Sequence, residues 1–397
     1  MKDLSLFSGI GSPESALGNL GIKFELFGFS EIDKYAVKSY CAVHGVNESL
    51  NLGDITKIDV ESLPLDIDLI THGSPCQDFS VAGNGKGGDL GSGTRSSLMW
   101  NTVAICEHCK PKYVIWENVK NVLSNKKHRH NFDKYLEEMD RIGYNNFYQI
   151  LNAKDYGVPQ NRERVFVISI RKDLNKDFEF PKGFDNGIRL KDILEDEVDE
   201  KYYINTEKAE RLISEYKGNL ARSHPIRSRE FEGQGWKDNC PTLCARDYKD
   251  RKNVIMPCLT PDRLEKRQKG RRFKEDGEPM FTLTAQDRHG VLIKEATKKG
   301  YAIAEEGDSI NIEFPNSKTR RGRVGKGIAQ TLTTRANQGV IENARIRKLT
   351  PKECWRLQGW NDEDFEKARA VCSDTQLYKQ AGNGVTVNVI YEIAKRL

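Results

Sequence analysis

The residues Leu4-Ser5-Leu6-Phe7-Ser8-Gly9-Ile10-Gly11 form an apolar run that ends in a turn with two glycines. Helical spacing follows directly, over residues 13–20. A buried strand that enters a helix through a glycine turn is the opening unit of an open α/β sheet. Glycines there allow a tight turn and let a ligand approach the main chain. The stretch therefore predicts an α/β domain with a small-molecule site at its first turn.

The rest of the first 170 residues continues this alternation of strand and helix. Apolar runs predict further strands over 25–29, 67–71, 113–116 and 165–169, and helical spacing predicts helices over 34–44 and 132–142. Such alternation implies a parallel sheet with helices on both faces. In these sheets the reactive groups gather at the carboxyl ends of the strands.

The segment from about residue 217 to residue 343 has a different composition. Glycine, asparagine, aspartate and arginine clusters interrupt short β-type runs, which predicts a second, smaller, mostly-β domain. Between residues 219 and 345 there are 26 lysines and arginines against 17 aspartates and glutamates, although the whole chain carries only +5. A basic segment beside a mildly acidic body favours nucleic-acid binding, and a solvated basic face is the alternative. Helical spacing resumes over 351–357 and 385–395.

A weak repeat runs through the basic segment. Thr-Leu pairs precede β-type runs that start with valine: Thr242-Leu243 with Asn253-Val254, Thr282-Leu283 with Gly290-Val291, and Thr331-Leu332 with Gly339-Val340. An arginine cluster precedes each pair, the last being Arg320, Arg321 and Arg323. This pattern predicts a small array of hairpins, with a turn before each valine and a shared apolar core.

Composition and cysteine usage exclude other classes. No run of 18 apolar residues suggests a membrane span, and no secretory signal opens the sequence. The nine cysteines lack the spacing of a disulfide framework, which suits a reducing cytoplasm. Cys106 and Cys109 form the only C-x-x-C, and two unrelated structural cysteines explain it better than a zinc or redox site. We therefore expect no metal.

The residues around the first turn favour S-adenosylmethionine as the cofactor. A dinucleotide fingerprint needs a third glycine where this chain has Glu14, and a carboxylate there would repel a pyrophosphate. Glu31 follows the second strand and is placed to bind ribose hydroxyls, and Asp54 follows a third short apolar stretch. The glycine pair alone indicates a nucleoside cofactor of unspecified type. The two carboxylates favour S-adenosylmethionine, because its sulfonium cation tolerates nearby negative charge.

Reactive side chains flank three other predicted strands. Cys76 lies in Gly73-Ser74-Pro75-Cys76-Gln77 after the third strand, where a thiolate serves as nucleophile, although a lone cysteine elsewhere is usually structural. Glu117 follows the fourth strand, and burial there would raise its pKa and let it donate to a base; a helix N-terminal acid is the alternative. Arg162 and Arg164 precede the fifth strand as forked donors for a carbonyl or a phosphate.

Together these motifs resemble the DNA cytosine-5 methyltransferases of bacteria and their phages. The similarity rests on residues 4–11, on the loop 73–77, on Glu117-Asn118-Val119, on residues 160–164, on residues 347–354 and on Gln380-Ala381-Gly382-Asn383-Gly384-Val385, in the family's order. The family often has serine at the position of Gly384. The middle of the chain shares only the family's general layout.

The resemblance implies a methyltransferase with an S-adenosylmethionine-dependent, Rossmann-like sheet and a target-recognition domain. The target cytosine would be flipped out of double-stranded DNA, attacked at C6 by Cys76, and held by Glu117, Arg162 and Arg164. The residues implied for the cofactor are Phe7, Gly9, Gly11, Glu31, Asp54, Pro75 and Asn383. The candidates for reading DNA are Arg246, Arg288 and Arg335. The catalytic domain would comprise 1–187 and 371–397, the recognition domain 188–345, and a hinge 346–370.

Three other functions explain the sequence less well than a DNA cytosine-5 methyltransferase does. A nicotinamide oxidoreductase leaves the Pro-Cys loop unexplained, and a non-catalytic DNA-binding protein gives no reason for the strand-end side chains. An RNA cytosine-5 methyltransferase with the same catalytic motifs is the nearest alternative, and the basic insert favours DNA. We expect a monomer in the cytoplasm of a bacterium or of a phage's bacterial host, with no membrane partner. A restriction endonuclease acting separately on the same DNA site would be compatible with this function.

Overall fold

The computed structural model describes residues 1–75, 95–203, 258–259, 289–342 and 345–397. The chain divides into two compact units. The first comprises Met1–Arg189, Thr331–Arg335 and Pro351–Leu397, and the second comprises Leu190–Gln330 and Ala336–Thr350. Residues 351–370, expected in a hinge, thus lie in the first unit. The functional division into catalytic, recognition and hinge segments stays a prediction.

The first unit contains a six-stranded mixed sheet. Its strands are β1 (Lys2–Leu6), β2 (Glu25–Ser30), β3 (Leu69–His72), β4 (Tyr113–Val119), β5 (Tyr144–Asn152) and β6 (Glu163–Arg171), in the order β2-β1-β3-β4-β6-β5. The four strands β1–β4 are parallel, as expected, but β6 runs antiparallel to both β4 and β5. The expectation of a wholly parallel sheet was wrong at this edge. The edge strand β5 is half-exposed and carries polar residues, so it has no apolar run that would predict a strand.

Nine helices accompany the described part of this sheet. They are α1 (Ser12–Asn19), α2 (Lys34–His44), α3 (Met99–Cys109), α4 (Asn121–Ser124), α5 (Lys126–Arg141), α6 (Pro351–Arg356), α7 (Asp362–Arg369), α8 (Asp374–Asn383) and α9 (Val387–Ala394). Helix α1 starts at Gly11 in the left-handed conformation, and Asp33 caps α2 by accepting the Tyr35 amide. The closing helix α9 packs on α1, so the end of the chain completes the domain that its beginning starts.

The main apolar core lies between the sheet and helices α3 and α5. Leu6, Ile70 and Trp116 from the strands meet Met99 and Tyr135 from the helices, all of them buried. Cys106 and Cys109 belong to this core, and burial raises the pKa of both thiols. Among the residues that the structure describes, no group of histidines, cysteines and carboxylates could hold a metal. In the same ranges no helix has the length and apolarity to cross a membrane.

In its described residues, the second unit contains two antiparallel sheets. Their strands are β7 (Cys258–Leu259), β8 (His289–Lys294), β9 (Tyr301–Glu305), β10 (Ser309–Asn311), β11 (Val324–Gly325), β12 (Gln338–Glu342) and β13 (Arg345–Lys348), in the orders β7-β8-β9 and β11-β10-β12-β13. They share an apolar core of Val291, Ile293, Ala304, Ile310, Ile312, Ile341 and Ile346. The mostly-β composition of this unit agrees with the sequence prediction.

The sequence repeat has a different structural meaning from the one expected. Gly290 and Gly339 lie inside strands β8 and β12, not in turns. A Cβ on Gly339 would stand 2.6 Å from the carbonyl oxygen of Arg347, so glycine is needed there for close strand packing. The pair Thr331-Leu332 lies outside any strand and belongs to the first unit. The pairs at 242 and 282 lie outside the described residues.

Candidate active site

The glycine turn after β1 has an unusual main-chain conformation. Phe7, Gly9 and Gly11 have φ angles of 53°, 58° and 82°, in the left-handed region that bulky residues avoid. The amide of Gly9 donates to Oε2 of Glu31 over 3.0 Å, which ties the turn to the end of β2. No described atom lies within 4 Å of the place where a Cβ on Gly9 would be. The turn therefore presents bare main chain to a ligand.

Helix α2 packs against this turn through His44. A Cβ on Gly11 would stand 2.1 Å from Nε2 of His44, and that nitrogen is 3.0 Å from the carbonyl oxygen of Ile10, to which it donates. Glu14 is buried and accepts the hydroxyl of Tyr40 over 2.6 Å. The Glu14 carboxylate thus serves the packing of α1 on α2, whereas the sequence argument placed it at the mouth of the turn.

Glu31 follows the end of β2, whereas Asp54 follows an isolated β-bridge at Asn51 and not the short strand that the sequence predicted. The Oε1 atom of Glu31 accepts the amides of Ile32 and Asp33, each over 2.8 Å, and burial raises the pKa of its carboxyl against these hydrogen bonds. Asp54 caps a short 3-10 turn by accepting the amide and hydroxyl of Thr56, which lowers its pKa. Asn51 joins the two loops because its Oδ1 accepts the amides of Glu31 and Gly53.

The loop that leads to Cys76 starts at the end of β3. Ser74 is buried, and its hydroxyl oxygen accepts the indole N–H of Trp116 over 3.0 Å. Asn118 donates to the carbonyl oxygen of Ser74 over 3.2 Å. Pro75 is the last described residue of this loop, and Cys76 lies outside the described residues. The end of β4 therefore holds the loop immediately before the predicted nucleophile.

Glu117 and Arg164 form an ion pair at the same edge of the sheet. Nε of Arg164 is 3.0 Å from Oε1 of Glu117, and both side chains are largely buried. In the antiparallel register Arg164 stands opposite Val119, so it shares a face with Glu117, its diagonal neighbour. Oε2 of Glu117 is 3.8 Å from the position of a Cβ on Gly73, which leads into the Pro-Cys loop. Three strand ends thus converge here.

Arg162 occupies a different place from Arg164. Its Nη2 atom donates to the carbonyl oxygens of Gly384 and Gly382, over 2.8 and 3.2 Å, and its Nη1 atom contacts that of Leu332 at 3.5 Å. The guanidinium is buried among main-chain carbonyls. The paired arrangement of two arginines on one base, expected from their spacing, is therefore not what the structure shows.

Asn383 ends helix α8 and is exposed between the two glycines that Arg162 holds. A Cβ on Gly384 would lie 3.9 Å from Oγ of Ser12, at the start of α1. This proximity brings the Asn383 turn beside the glycine turn, as the cofactor assignment requires.

Of the three arginines predicted to read DNA, only Arg335 lies within the described residues. It is exposed and belongs to the first unit. Nearby, Leu332 is buried and the Thr331 hydroxyl donates to the carbonyl oxygen of Asn161 over 2.8 Å. Arg246 and Arg288 lie outside the described residues and stay predictions.

Sequence reasoning missed several residues that shape this site. Ser74, Trp116 and Asn118 flank the chemical motifs but carry no reactive group, and only the strand register brings them together. Asn51 had no signal beyond its closeness to Asp54. The only sequence signal of Ile32 is its position next to Glu31. In the structure its side chain is 77% exposed, which is unusual for a large apolar residue.

The fold is of the α/β type that is typical of S-adenosylmethionine methyltransferases, with separate antiparallel sheets. The family model for C-5 cytosine-specific DNA methylases matches residues 1–397, and the chain belongs to this family. It is a DNA cytosine-5 methyltransferase, as the sequence motifs predicted.

Named relatives and solved structures agree with this assignment. The chain is 37% identical to the orphan methyltransferase M.SPRI of Bacillus phage SPR and 30% identical to the type II methyltransferase M2.ScrFI of Lactococcus lactis subsp. cremoris. These alignments cover 100% of this chain and 97% and 99% of the relatives. The fold is similar to that of the S. pombe Dnmt2 methyltransferase, with a TM-score of 0.51, 16% identity, and coverage of 100% of this chain and 97% of that one.

Proposed function

We propose that this enzyme transfers a methyl group from S-adenosylmethionine to C5 of a cytosine flipped out of a specific double-stranded DNA sequence. The observation that carries the proposal is the Glu117–Arg164 ion pair beside Gly73, where the chain leads into Pro75-Cys76. An acid and a cation at converging strand ends, with a thiol that directly follows Pro75 in the sequence, are the groups needed to activate a pyrimidine ring. Flipping is required because C5 and C6 are inaccessible to a thiol in stacked DNA.

Cys76 acts as the nucleophile in this mechanism. Its thiolate adds to C6, which breaks the C5–C6 double bond and makes C5 electron-rich. C5 takes the methyl group, then loses its proton to a base, and the C6–S bond breaks to restore the aromatic ring. Each methyl transfer therefore regenerates the thiolate, and no oxidant or reductant is involved.

Glu117 and Arg164 make the ring electrophilic. When the base enters, Glu117 engages N3 and the exocyclic amine, and Arg164 donates to the O2 carbonyl. The two side chains are already paired at 3.0 Å, so little reorganisation precedes the chemistry. Glu117 passes a proton to N3 when Cys76 adds to the ring, and Arg164 stabilises the negative charge that develops at O2.

The loops around Gly9 fit S-adenosylmethionine. Bound there, this molecule supplies an electrophilic methyl group on a sulfonium. Open main chain at Gly9 would allow close approach, Glu31 would accept from ribose hydroxyls, and exposed Ile32 would pack on the adenine face. Asp54 would accept from the adenine amine. Phe7, Gly11, Pro75 and Asn383 complete the walls, and the absence of phosphate in the ligand suits a site with two carboxylates.

Arg162 has a positioning role in this proposal. Its hydrogen bonds to Gly382 and Gly384 hold the turn that carries Asn383. Residues 1–187 and 371–397 perform catalysis, 188–345 recognise the target, and 346–370 join them. The basic segment supplies phosphate contacts, and base reading falls to its exposed arginines.

The biological role is modification of bacterial or phage DNA in the host cytoplasm by a monomeric enzyme. The phage relative is named an orphan methyltransferase, so self-protection of phage DNA needs no endonuclease partner. Relatives named type II methyltransferases make restriction-modification the second context.

The test is to express the chain in a bacterial host without cytosine methylation and to map 5-methylcytosine at base resolution. We expect methylation of one or a few short sequences in the genome, and none with Cys76→Ser. Methylation confined to transfer RNA would contradict the DNA assignment and favour the RNA enzyme.

A further inference from the structure

The strand that carries Glu117 also holds the loop before Cys76. Trp116 and Asn118, on either side of Glu117, both donate to Ser74, over 3.0 Å to its hydroxyl oxygen and 3.2 Å to its carbonyl oxygen. Side chains alternate between the faces of a strand, so Trp116 and Asn118 point away from Glu117. One strand end therefore presents the acid on one face and two loop-holding donors on the other.

Trp116 is itself fixed in place. It is 1% exposed, stacks on His72 with ring centroids 5.9 Å apart, and packs on Tyr135 at 4.4 Å. Nε2 of His72 is 3.1 Å from the hydroxyl of Tyr135, and burial lowers the pKa of His72 to about 3, so its ring stays neutral. An indole held by these two neighbours offers its N–H in one direction only.

We propose that Trp116 and Ser74 are positioning residues for the nucleophile. The indole N–H fixes Ser74, and the rigid ring of Pro75 transmits that position to the next residue, Cys76. Cys76 is two residues after Ser74 in the sequence, so a shift of Ser74 displaces the main chain that leads to the thiol. This inference rests on the proposed role of Cys76.

The alternative is that Trp116 only fills the core. Phenylalanine keeps most of the ring packing but has no N–H, so Trp116→Phe separates the two roles. Ser74→Ala removes the acceptor and is the partner variant. Tyr135→Phe is the matched control, since it removes a hydrogen bond from the same aromatic cluster without touching Ser74.

The experiment measures the exchange of tritium from C5-tritiated cytosine in target DNA, which reports addition of the thiol at C6, together with the cofactor KM and the melting temperature. We expect Trp116→Phe and Ser74→Ala each to slow exchange by about 10²-fold with an unchanged cofactor KM, because a misplacement near 1 Å has such an effect. The double variant should lose no more than either single one. Tyr135→Phe should lower the melting temperature and keep the exchange rate.

Two results would overturn this inference. One is an exchange rate for Trp116→Phe within twofold of the wild type, and the other is multiplication of the two single losses in the double variant. Cys76→Ser separates this failure from failure of the proposed function. If Cys76→Ser still exchanges tritium, the nucleophile is wrong; if it does not while Trp116→Phe is normal, only the positioning role is wrong.

A second, independent observation concerns the loop after β10 in the second unit. Phe314 is 60% exposed and has a φ of 50°, a strained combination for a bulky side chain. Buried Arg323 donates to the carbonyl oxygens of Phe314 and Glu313, over 2.7 and 3.0 Å, and so holds the ring outward. Arginine of the sequence cluster thus serves the fold here and is not available to a ligand.

One cation lies beside the exposed ring, Arg320, which also pairs with Glu313 over 3.7 Å, and two more cations belong to the loop. The Arg320 guanidinium is 5.8 Å from the Phe314 ring centroid, and Lys318 and Arg321 are exposed on the same loop. Within the described residues, no carboxylate forms an ion pair with Lys318 or Arg321. We infer that this loop contacts the DNA substrate, with Phe314 against a base or sugar and Lys318 and Arg321 at phosphates. The inference rests on the proposed recognition role of this unit.

Binding of a fluorescent duplex over a series of salt concentrations tests the loop. Phe314→Ala should weaken binding about fivefold or more with an unchanged salt slope, because stacking is not ionic. Arg321→Ala should lower the salt slope by about one. Phe184→Ala, which removes an exposed phenylalanine of the first unit, is the control and should bind normally. Normal binding by Phe314→Ala, while the wild type binds duplex DNA, would overturn the inference; a wild type that binds no duplex would instead contradict the proposed function.

Discussion

At the scale of single residues, the chemistry depends on side chains whose partners the sheet supplies. Glu117 and Arg164 meet at 3.0 Å because antiparallel strands β4 and β6 put them on one face. Arg162, two residues earlier, instead donates hydrogen bonds to main-chain carbonyl oxygens. Their spacing alone treats the two arginines as equivalent, and the strand register distinguishes them.

Glu117 should be needed for chemistry and not for cofactor binding. Glu117→Gln keeps a hydrogen-bond donor but cannot pass a proton, so we expect the rate of methyl transfer to fall on the order of 10²-fold or more. Single-turnover kinetics and equilibrium binding of S-adenosylmethionine measure the two properties separately. A collapse of cofactor affinity with a preserved chemical rate would move Glu117 to the cofactor site.

Asp3 should make stability depend on pH. It is fully buried, and burial, followed by the nearby Glu14 carboxylate, raises its pKa well above the usual value. A raised folded-state pKa means that the folded protein holds its proton more tightly than the unfolded chain, so stability falls as pH rises from about 4 until the folded pKa is passed.

The neutral variant Asp3→Asn tests this dependence. We expect its melting temperature to exceed that of the wild type at pH 8 and the difference to shrink toward pH 4, with about 2–4 °C for each kcal/mol. Thermal melts across this pH range measure it. A constant difference between the two proteins would show that Asp3 does not titrate on unfolding.

At the scale of elements, the glycine turn, helix α2 and the end of α8 form one support for the proposed cofactor site. His44 and Tyr40 fill the space beside Gly11, and Arg162 fixes the turn after α8. These elements come from distant parts of the sequence, and the sheet edge brings them together.

Gly11 and Gly18 offer a matched pair of substitutions on this support. Gly11→Ala puts a Cβ 2.1 Å from the His44 ring at a φ of 82°, and we expect a loss of about 2 kcal/mol in the free energy of unfolding and weaker cofactor binding. Gly18→Ala, in the same helix with open space around it, should gain about 0.5 kcal/mol. Equal effects of the two variants on denaturant unfolding would refute the packing argument.

The sequence predicted most of the central elements because their residues are buried on repeating patterns. Strands β1 to β4 and β6 were apparent as apolar runs, whereas the polar edge strand β5 lacked that signal. The site motifs were found because their residue types are chemically distinctive. Ser74 and Trp116 were not, because their importance comes from a contact between strands and not from their own chemistry.

At the scale of the whole molecule, the unit that contains the six-stranded sheet is made of separate chain segments and includes the last residues of the sequence. The basic segment that contains the β unit lies between these segments in the sequence. One copy of the Thr-Leu repeat is divided between the two units. Thr331–Arg335 belongs to the first unit, and the Gly-Val pair of the same copy lies in β12 of the second. In the copy that lies within the described residues, the Thr-Leu pair and the Gly-Val pair therefore belong to different units and do not form one hairpin.

At least one of Arg246, Arg288 and Arg335 should read a base. Its change to alanine would cost about 1–3 kcal/mol at the cognate site only and relax the choice of one base, because arginine binds guanine edges with two hydrogen bonds. Genome-wide maps of 5-methylcytosine for each variant measure this. If all three variants methylate the same sites with uniform, salt-dependent losses, these arginines bind phosphates and other residues read the sequence.

The central claim is that Cys76 forms a covalent bond to the target cytosine during methyl transfer. Its most direct test is to incubate the enzyme and S-adenosylmethionine with a duplex that carries 5-fluorocytosine at the mapped target, where fluorine cannot leave as the C5 proton does. Peptide mapping by mass spectrometry should find the DNA adduct on Cys76, and Cys76→Ser should form none. An adduct on another cysteine, or its persistence in Cys76→Ser, would contradict the account.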